Sequence, residues 1–139
     1  MKLLVTGGAG YVGSHTVHAL LAQRHEVVIL DNLSTGHKWA LQDCELITID
    51  LRDEMNLVRN LKGRGFDGVL HFAAKSLVGE SKNQPAMYYQ NNVGGTTNLV
   101  RAMQAAEIQR LVFSSTAAIF GNPVSGLIDE AHPKAPINV

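Results

Sequence analysis

The chain has 139 residues, of which 45% are hydrophobic, enough apolar material for the core of one ordinary domain. Twelve basic residues balance twelve acidic ones, so bulk charge gives no attraction to nucleic acid or an anionic membrane. The single cysteine, Cys44, excludes an intrachain disulfide and fits a reducing compartment.

The first apolar run, Leu3-Leu4-Val5, is too short for a signal-peptide core or a bilayer span, and a soluble cytoplasmic protein is expected. Closed by Thr6-Gly7-Gly8, the run reads as a buried parallel strand. A helix is predicted over 11–24, with Gly13, Val17, Leu20 and Leu21 as its apolar stripe. Residues 26–30 form a second buried strand ending at Asp31, and 46–49 a third ending at Asp50. Asp53 is placed to cap a helix running to about residue 62, with Leu57, Val58 and Leu61 inward. The fourth strand is 69–72. A long helix follows with Pro85 in its first turn, where the missing N–H costs nothing. Tyr89, Val93, Thr96, Val100 and Met103 step by four, three, four and three along its expected inner face. Tyr88-Tyr89 reads as half core and half surface rather than as a stacking platform. Residues 110–114 make a fifth strand. After Ser115, Gly121, Pro123, Gly126, Pro133 and Pro136 mark irregular chain.

Strand alternating with helix predicts an α/β chain, a Rossmann-type doubly wound parallel sheet of about five strands. Its strongest local signal is Thr6-Gly7-Gly8-Ala9-Gly10-Tyr11-Val12-Gly13, which leaves a strand and opens a helix. Gly7 permits the tight turn, Gly10 a close approach of backbone to pyrophosphate, and Gly13 close helix packing. The helix N-terminus offers free N–H groups and a positive dipole end to phosphate. Asp31 ends the second strand 18 residues after Gly13, where a carboxylate accepts from ribose hydroxyls and repels a 2′-phosphate. The expected cofactor is therefore NAD rather than NADP. Asp31-Asn32 also suits a plain turn. Six histidines are present, but none pairs with the spacing and the nearby Glu of a zinc helix, and no metal site is expected.

The Gly-x-x-Gly-x-x-Gly spacing resembles the extended short-chain dehydrogenase/reductase superfamily. "TGGAGYVGSH", "DNLSTG", "HFAAKSLVGES", "YYQNNVGGT" and "FSSTAAIFG", in that order, narrow the resemblance to the N-terminal part of the UDP-glucose 4-epimerase family. That family is an isomerase of galactose metabolism acting on UDP-glucose and UDP-galactose. It keeps NAD tightly bound, oxidises the sugar C4 hydroxyl to a ketone and returns the hydride to the other face. A Tyr in a Tyr-x-x-x-Lys motif acts as base, and the whole enzyme is expected to be a homodimer.

Carried onto this chain, the resemblance implies that Gly7, Gly10, Tyr11, Val12 and Gly13 hold the pyrophosphate. Asp31, Asn32, Ser34 and Gly36 would line the adenosine ribose. Asp50 and Leu51 would flank the adenine, Asp50 accepting from its exocyclic amine. Phe72, Ala73 and Ala74 would pass beneath the cofactor, and Asn91 would sit near the nicotinamide side. Asn91-Asn92 and Gly94-Gly95 are poor helix formers inside a predicted helix, which itself suggests a local purpose. Thr116 matches the Ser/Thr that bonds the substrate hydroxyl, a group able to serve alcohol and ketone alike. Some members carry Lys where this chain has Ser76, with Lys75 one step earlier, so which of the two faces the cofactor stays open.

No Tyr in the chain has Lys four residues on. Counted along the family pattern from Thr116, the catalytic Tyr would follow directly after Val139, and the substrate domain would lie further on. The expected organisation is a partial NAD-binding domain over 1–115 and an irregular segment over 116–139 leading to that helix. The sheet is thus expected to be incomplete, with a bare edge, and the fragment to lack useful activity alone. Two other readings stay open. One is a related nucleotide-sugar enzyme such as a 4,6-dehydratase, against which Ala117-Ala118 stands in place of an acidic pair. The other is a non-catalytic nucleotide-binding module.

Overall fold

A computed structural model describes residues 1–124 and 126–138. Ser125 and Val139, both in the segment expected to be irregular, lie outside the described residues. Five parallel strands run β1 (Lys2–Thr6), β2 (Glu26–Leu30), β3 (Glu45–Ile47), β4 (Gly68–His71) and β5 (Leu111–Phe113). Their order in the sheet is β3-β2-β1-β4-β5. The chain winds outward from β1 to β3, returns to the other side of β1, and winds outward again through β5. The reversal opens a crevice at the carboxyl ends of β1 and β4, where open α/β sheets bind ligands.

Alternation along the strands divides the core between the two faces. Leu4, Val28, Leu30 and Val69 pack on one side with Leu57 and Leu61 of α2 (Glu54–Leu61) and Leu99, Ala102 and Met103 of α5 (Gly95–Ala105). Val5, Val27 and Ile29 pack on the other with Val17 of α1 (Tyr11–Ala22), and Leu20 and Leu21 cover them in part. Burial on both faces is why the strands read as unbroken apolar runs rather than alternating ones. Asp53 caps α2 as expected, its carboxylate accepting from the Asn56 N–H at 3.1 Å. Among the described residues, no helix is long and apolar enough to cross a membrane.

Three expectations need correction. The third strand ends at Ile47, and Ile49 turns to the crevice instead. The segment after β4 carries an unexpected short helix, α3 (Val78–Asn83). The long helix is three pieces: α4 (Pro85–Tyr88), a π-helix (Tyr89–Gly94) and α5. A π turn takes i→i+5 hydrogen bonds and so about one extra residue, which rotates the apolar stripe counted at even α spacing. Tyr89, Val93 and Val100 are therefore 56%, 57% and 37% exposed, while Tyr88, Gly95, Leu99, Ala102 and Met103 face inward. Tyr88-Tyr89 does divide into a core and a surface residue. At the sheet edge, Val112 and Phe113 of β5 are more than half exposed.

Candidate functional site

A cavity of about 380 Å³ opens at the crevice. Its floor is the glycine turn between β1 and α1. Gly7 takes φ +72°, and a Cβ there would stand 2.6 Å from the Ala73 backbone nitrogen. A Cβ on Gly13 would stand 2.1 Å from the Gly7 carbonyl oxygen. The third glycine thus lets α1 close onto its own turn as well as onto the sheet. Gly10 is the N-cap of α1 and brings no side-chain cap. The first-turn N–H groups of Tyr11, Val12 and Gly13 are left to whatever occupies the cavity, which all three residues line.

The second wall comes from the chain after β2. Asp31 is 8% exposed. Its Oδ2 accepts from the Ala9 N–H at 3.0 Å and its Oδ1 from the Leu33 N–H at 2.8 Å. A carboxylate has about four acceptor sites, so each oxygen keeps one acceptor site free. The turn-forming reading of Asp31 is what these bonds show, and the turn leaves the carboxylate in the cavity lining. Asn32 and Ser34 also line the cavity, with the Asn32 Oδ1 accepting from the Ser34 N–H at 3.0 Å.

Asp50 and Leu51 close the far end after β3. Here the geometry is more crowded than expected. Asp50 accepts from Arg52 N, Nε and Nη2 at 2.9, 2.9 and 2.8 Å, and from Asn32 Nδ2 at 2.9 Å. The Arg52 side chain holds its carboxyl well below the usual carboxylate range. All four acceptor sites are filled, so an adenine amine would have to displace one donor. The exposed Arg52 guanidinium is the one able to leave.

The third wall follows β4. Phe72, Ala73 and Ala74 line the cavity with Lys75 and Ser76, and Asn91 reaches it from the π-helix. Both residues of the open Lys75/Ser76 question therefore touch the cavity, and the Lys75 Nζ stands 4.0 Å from Glu80 Oε2. Thr35, Ile49, Leu77, Glu80 and Tyr88 join the lining without having been expected there from the sequence. Thr35 could have been found from its place inside "DNLSTG". Tyr88 could have been found because a buried Tyr hydroxyl needs partners; it takes the Leu77 N–H at 3.1 Å and lies 2.8 Å from Glu80 Oε2.

Two expected residues are elsewhere. Gly36 is not in the lining. A Cβ on it would meet the Ala9 Cβ at 2.7 Å, and the next residue, His37, donates its N–H to the Ala9 carbonyl at 3.0 Å. Its small size seats the loop after β2 on the glycine turn. Thr116 is exposed outside the cavity, and its Oγ1 accepts from the Ala118 N–H at 3.1 Å to cap the short helix Ala117–Phe120. Further on, His132 is 7% exposed, and its Nε2 accepts from the Val124 N–H at 3.2 Å. Burial, and after it the neighbouring Asp43 charge, push the pKa of the half-buried Cys44 thiol up. Among the described residues no group of His, Cys, Asp and Glu is arranged to hold a metal ion.

Residues 3–139 match the family described as the NAD dependent epimerase/dehydratase family. A UDP-glucose 4-epimerase of Halalkalibacterium halodurans is 50% identical over 138 residues, covering 99% of this chain and 41% of that protein. Among solved structures, the UDP-glucose 4-epimerase of Brucella ovis in complex with NAD superposes with TM-score 0.92 at 42% identity, over 99% of this chain and 42% of that one. The Thermotoga maritima UDP-glucose 4-epimerase with UDP-glucose gives TM-score 0.91 at 32% identity, over 99% and 46%. The chain thus spans less than half the length of these relatives.

Proposed function

Because the chain belongs to the NAD dependent epimerase/dehydratase family, we propose that its cavity is the NAD-binding half of a UDP-glucose 4-epimerase site. The observation that carries this reading is the pairing, at one cavity, of two groups with hydrogen-bonding capacity left. One is an uncapped helix N-terminus on a glycine turn with no room for a Cβ at Gly7 or Gly13; the other is a buried carboxylate with lone pairs to spare. These residues fit a dinucleotide: N–H groups and helix dipole for the pyrophosphate, Asp31 for the ribose hydroxyls. Asp31 would also repel a 2′-phosphate, which favours NAD.

NAD, when bound, supplies the hydride acceptance and return that inverting C4 of a UDP-hexose requires. The chain's own part is to bind and orient. Tyr11, Val12 and Gly13 fix the pyrophosphate, Asp31, Asn32 and Ser34 fix the adenosine end, and the small side chains of Ala73 and Ala74 leave room for the ring system. Thr116 would meet the C4 hydroxyl once its segment turns toward the cavity. The 139 residues contain no Tyr-x-x-x-Lys, so on their own they are proposed to bind NAD without epimerising; general-base catalysis contributes ~10²–10⁴-fold. UDP-glucose and UDP-galactose as substrates, a homodimeric assembly, a cytoplasmic location and a place in galactose metabolism complete the proposal. Isothermal titration tests it. Saturable one-to-one binding of NAD, with NADP much weaker, is the expected outcome; a folded, monodisperse chain that binds neither would overturn it.

A further inference from the structure

His71 ends β4 at 2% exposure, with both ring nitrogens bonded. Nδ1 lies 2.5 Å from Thr6 Oγ1, and Nε2 lies 2.9 Å from Thr96 Oγ1. Thr96 decides where the ring proton sits. Its one hydroxyl proton goes to the Asn92 carbonyl oxygen at 2.6 Å. Thr96 Oγ1 can then only accept from the ring, so Nε2 is the protonated nitrogen. Nδ1 is an acceptor, and the Thr6 hydroxyl donates to it. All the hydrogen bonds run one way, from Thr6 through His71 and Thr96 to Asn92.

The Asn92 side chain carries the connection to the cavity. Its Oδ1 accepts from the Lys75 N–H at 2.9 Å, and its Nδ2 donates to the Lys75 carbonyl at 3.0 Å, pairing with that backbone as a strand neighbour would. Asn91 Nδ2 donates to the same Oδ1 at 3.0 Å. Lys75, Ser76 and Asn91 all line the cavity. A π turn is a poor structure in isolation and persists where something holds it. Here the hold is Thr96, two residues past its end, gripped by a ring that reaches across from β4.

We propose that His71 is a positioning residue: fixed as the Nε2–H tautomer, it anchors the π-helix through Thr96, so that Asn92 presents the Lys75–Ser76 backbone and Asn91 to the cavity. Neutral histidine suits the place because it offers one donor and one acceptor on opposite edges of one rigid ring. The inference rests on the NAD reading only for the identity of the ligand that this wall serves.

The experiment uses the 139-residue chain labelled with ¹⁵N-histidine, together with Thr96→Val and Thr96→Ser. Long-range ¹H–¹⁵N correlation should show His71 protonated at Nε2 across neutral pH. Thr96→Val, which leaves the ring N–H without an acceptor, should speed hydrogen exchange at the Lys75 amide and weaken NAD binding about tenfold. Thr96→Ser should restore both. A ring protonated at Nδ1, or Lys75 exchange and NAD affinity unmoved in Thr96→Val, would overturn the proposal. If the unaltered chain binds no NAD, the cofactor reading fails by itself, while the tautomer and the Lys75 exchange still decide the role of His71.

Discussion

Replacing Gly13 by Ala adds one methyl group where the helix closes onto the glycine turn. The new Cβ would lie 2.1 Å from the Gly7 carbonyl oxygen, 2.8 Å from the Gly7 carbonyl carbon and 2.9 Å from the Gly8 Cα. Ordinary contact begins near 3.4 Å, so α1 and the turn must separate by more than 1 Å. Every obstacle is backbone, and no rotamer can relieve it. Overpacking of this kind costs up to ~3 kcal/mol, and the better helix propensity of Ala returns ~1 kcal/mol. A net loss of ~2 kcal/mol over 139 residues lowers Tm by about 7 °C. The same displacement moves the Tyr11 and Val12 N–H groups off the place proposed for the pyrophosphate, so NAD affinity should fall by at least ~100-fold, more than the stability change accounts for. The control is Gly79→Ala in α3, where a Cβ meets nothing within 4 Å; it should leave affinity unchanged and Tm level or slightly raised. Differential scanning fluorimetry with and without NAD reads both quantities. A Gly13→Ala protein with unaltered Tm and affinity would refute the claim that close packing at this turn builds the site.

Other outcomes follow from single side chains. Burial pushes His71 down to about 4, whereas the unfolded chain titrates near ~6.5. The unfolded state then binds more protons between those values, so stability should fall as pH drops from ~6.5 to ~4, by up to ~3 kcal/mol, and level off below. Urea midpoints flat across that window would contradict a neutral buried ring. Asp31→Asn removes the charge while keeping an acceptor for one of its two N–H partners. The preference for NAD over NADP should shrink at least ~10-fold, as read by paired titrations, and an unchanged ratio would show that Asp31 does not face the 2′ position. Val112 is 59% exposed on the edge strand. Val112→Lys should reduce light scattering on concentration with little change in Tm, because a charged edge resists pairing with another chain; equal scattering would place the aggregating surface elsewhere.

The sequence was most legible where one residue type has one use. Gly7 and Gly13 stand where a left-handed turn and a missing Cβ are required, and Asp31 follows the strand with its carboxylate bonded to the turn amides and placed in the cavity lining. The parallel sheet was legible because Leu3–Val5 and Val27–Leu30 are apolar on both faces. Reading failed where the backbone left its ideal period. The π-helix between Tyr89 and Gly94 moved the inner face from Tyr89, Val93 and Val100 to Tyr88, Leu99 and Ala102. Its cause is a set of side-chain bonds among Asn92, Thr96 and His71 that no spacing rule contains. Gly36, expected beside the adenosine ribose, lies outside the cavity lining because a close contact with Ala9 seats it on the glycine turn, a packing no spacing rule contains. The crowding of Asp50 by Arg52 and Asn32 was equally hidden, for it depends on two turns meeting.

The central claim is that NAD lies on the glycine turn beside Asp31. Titrating a ¹⁵N-labelled chain with NAD and mapping the amide shifts tests this most directly. The largest changes should fall on Gly10 to Gly13 and on Ala9 and Leu33, the amides that bond Asp31 or open α1, with Lys75 and Asn91 following. Shifts confined to the exposed surface of α5 and β5, or none at saturating NAD, would contradict it.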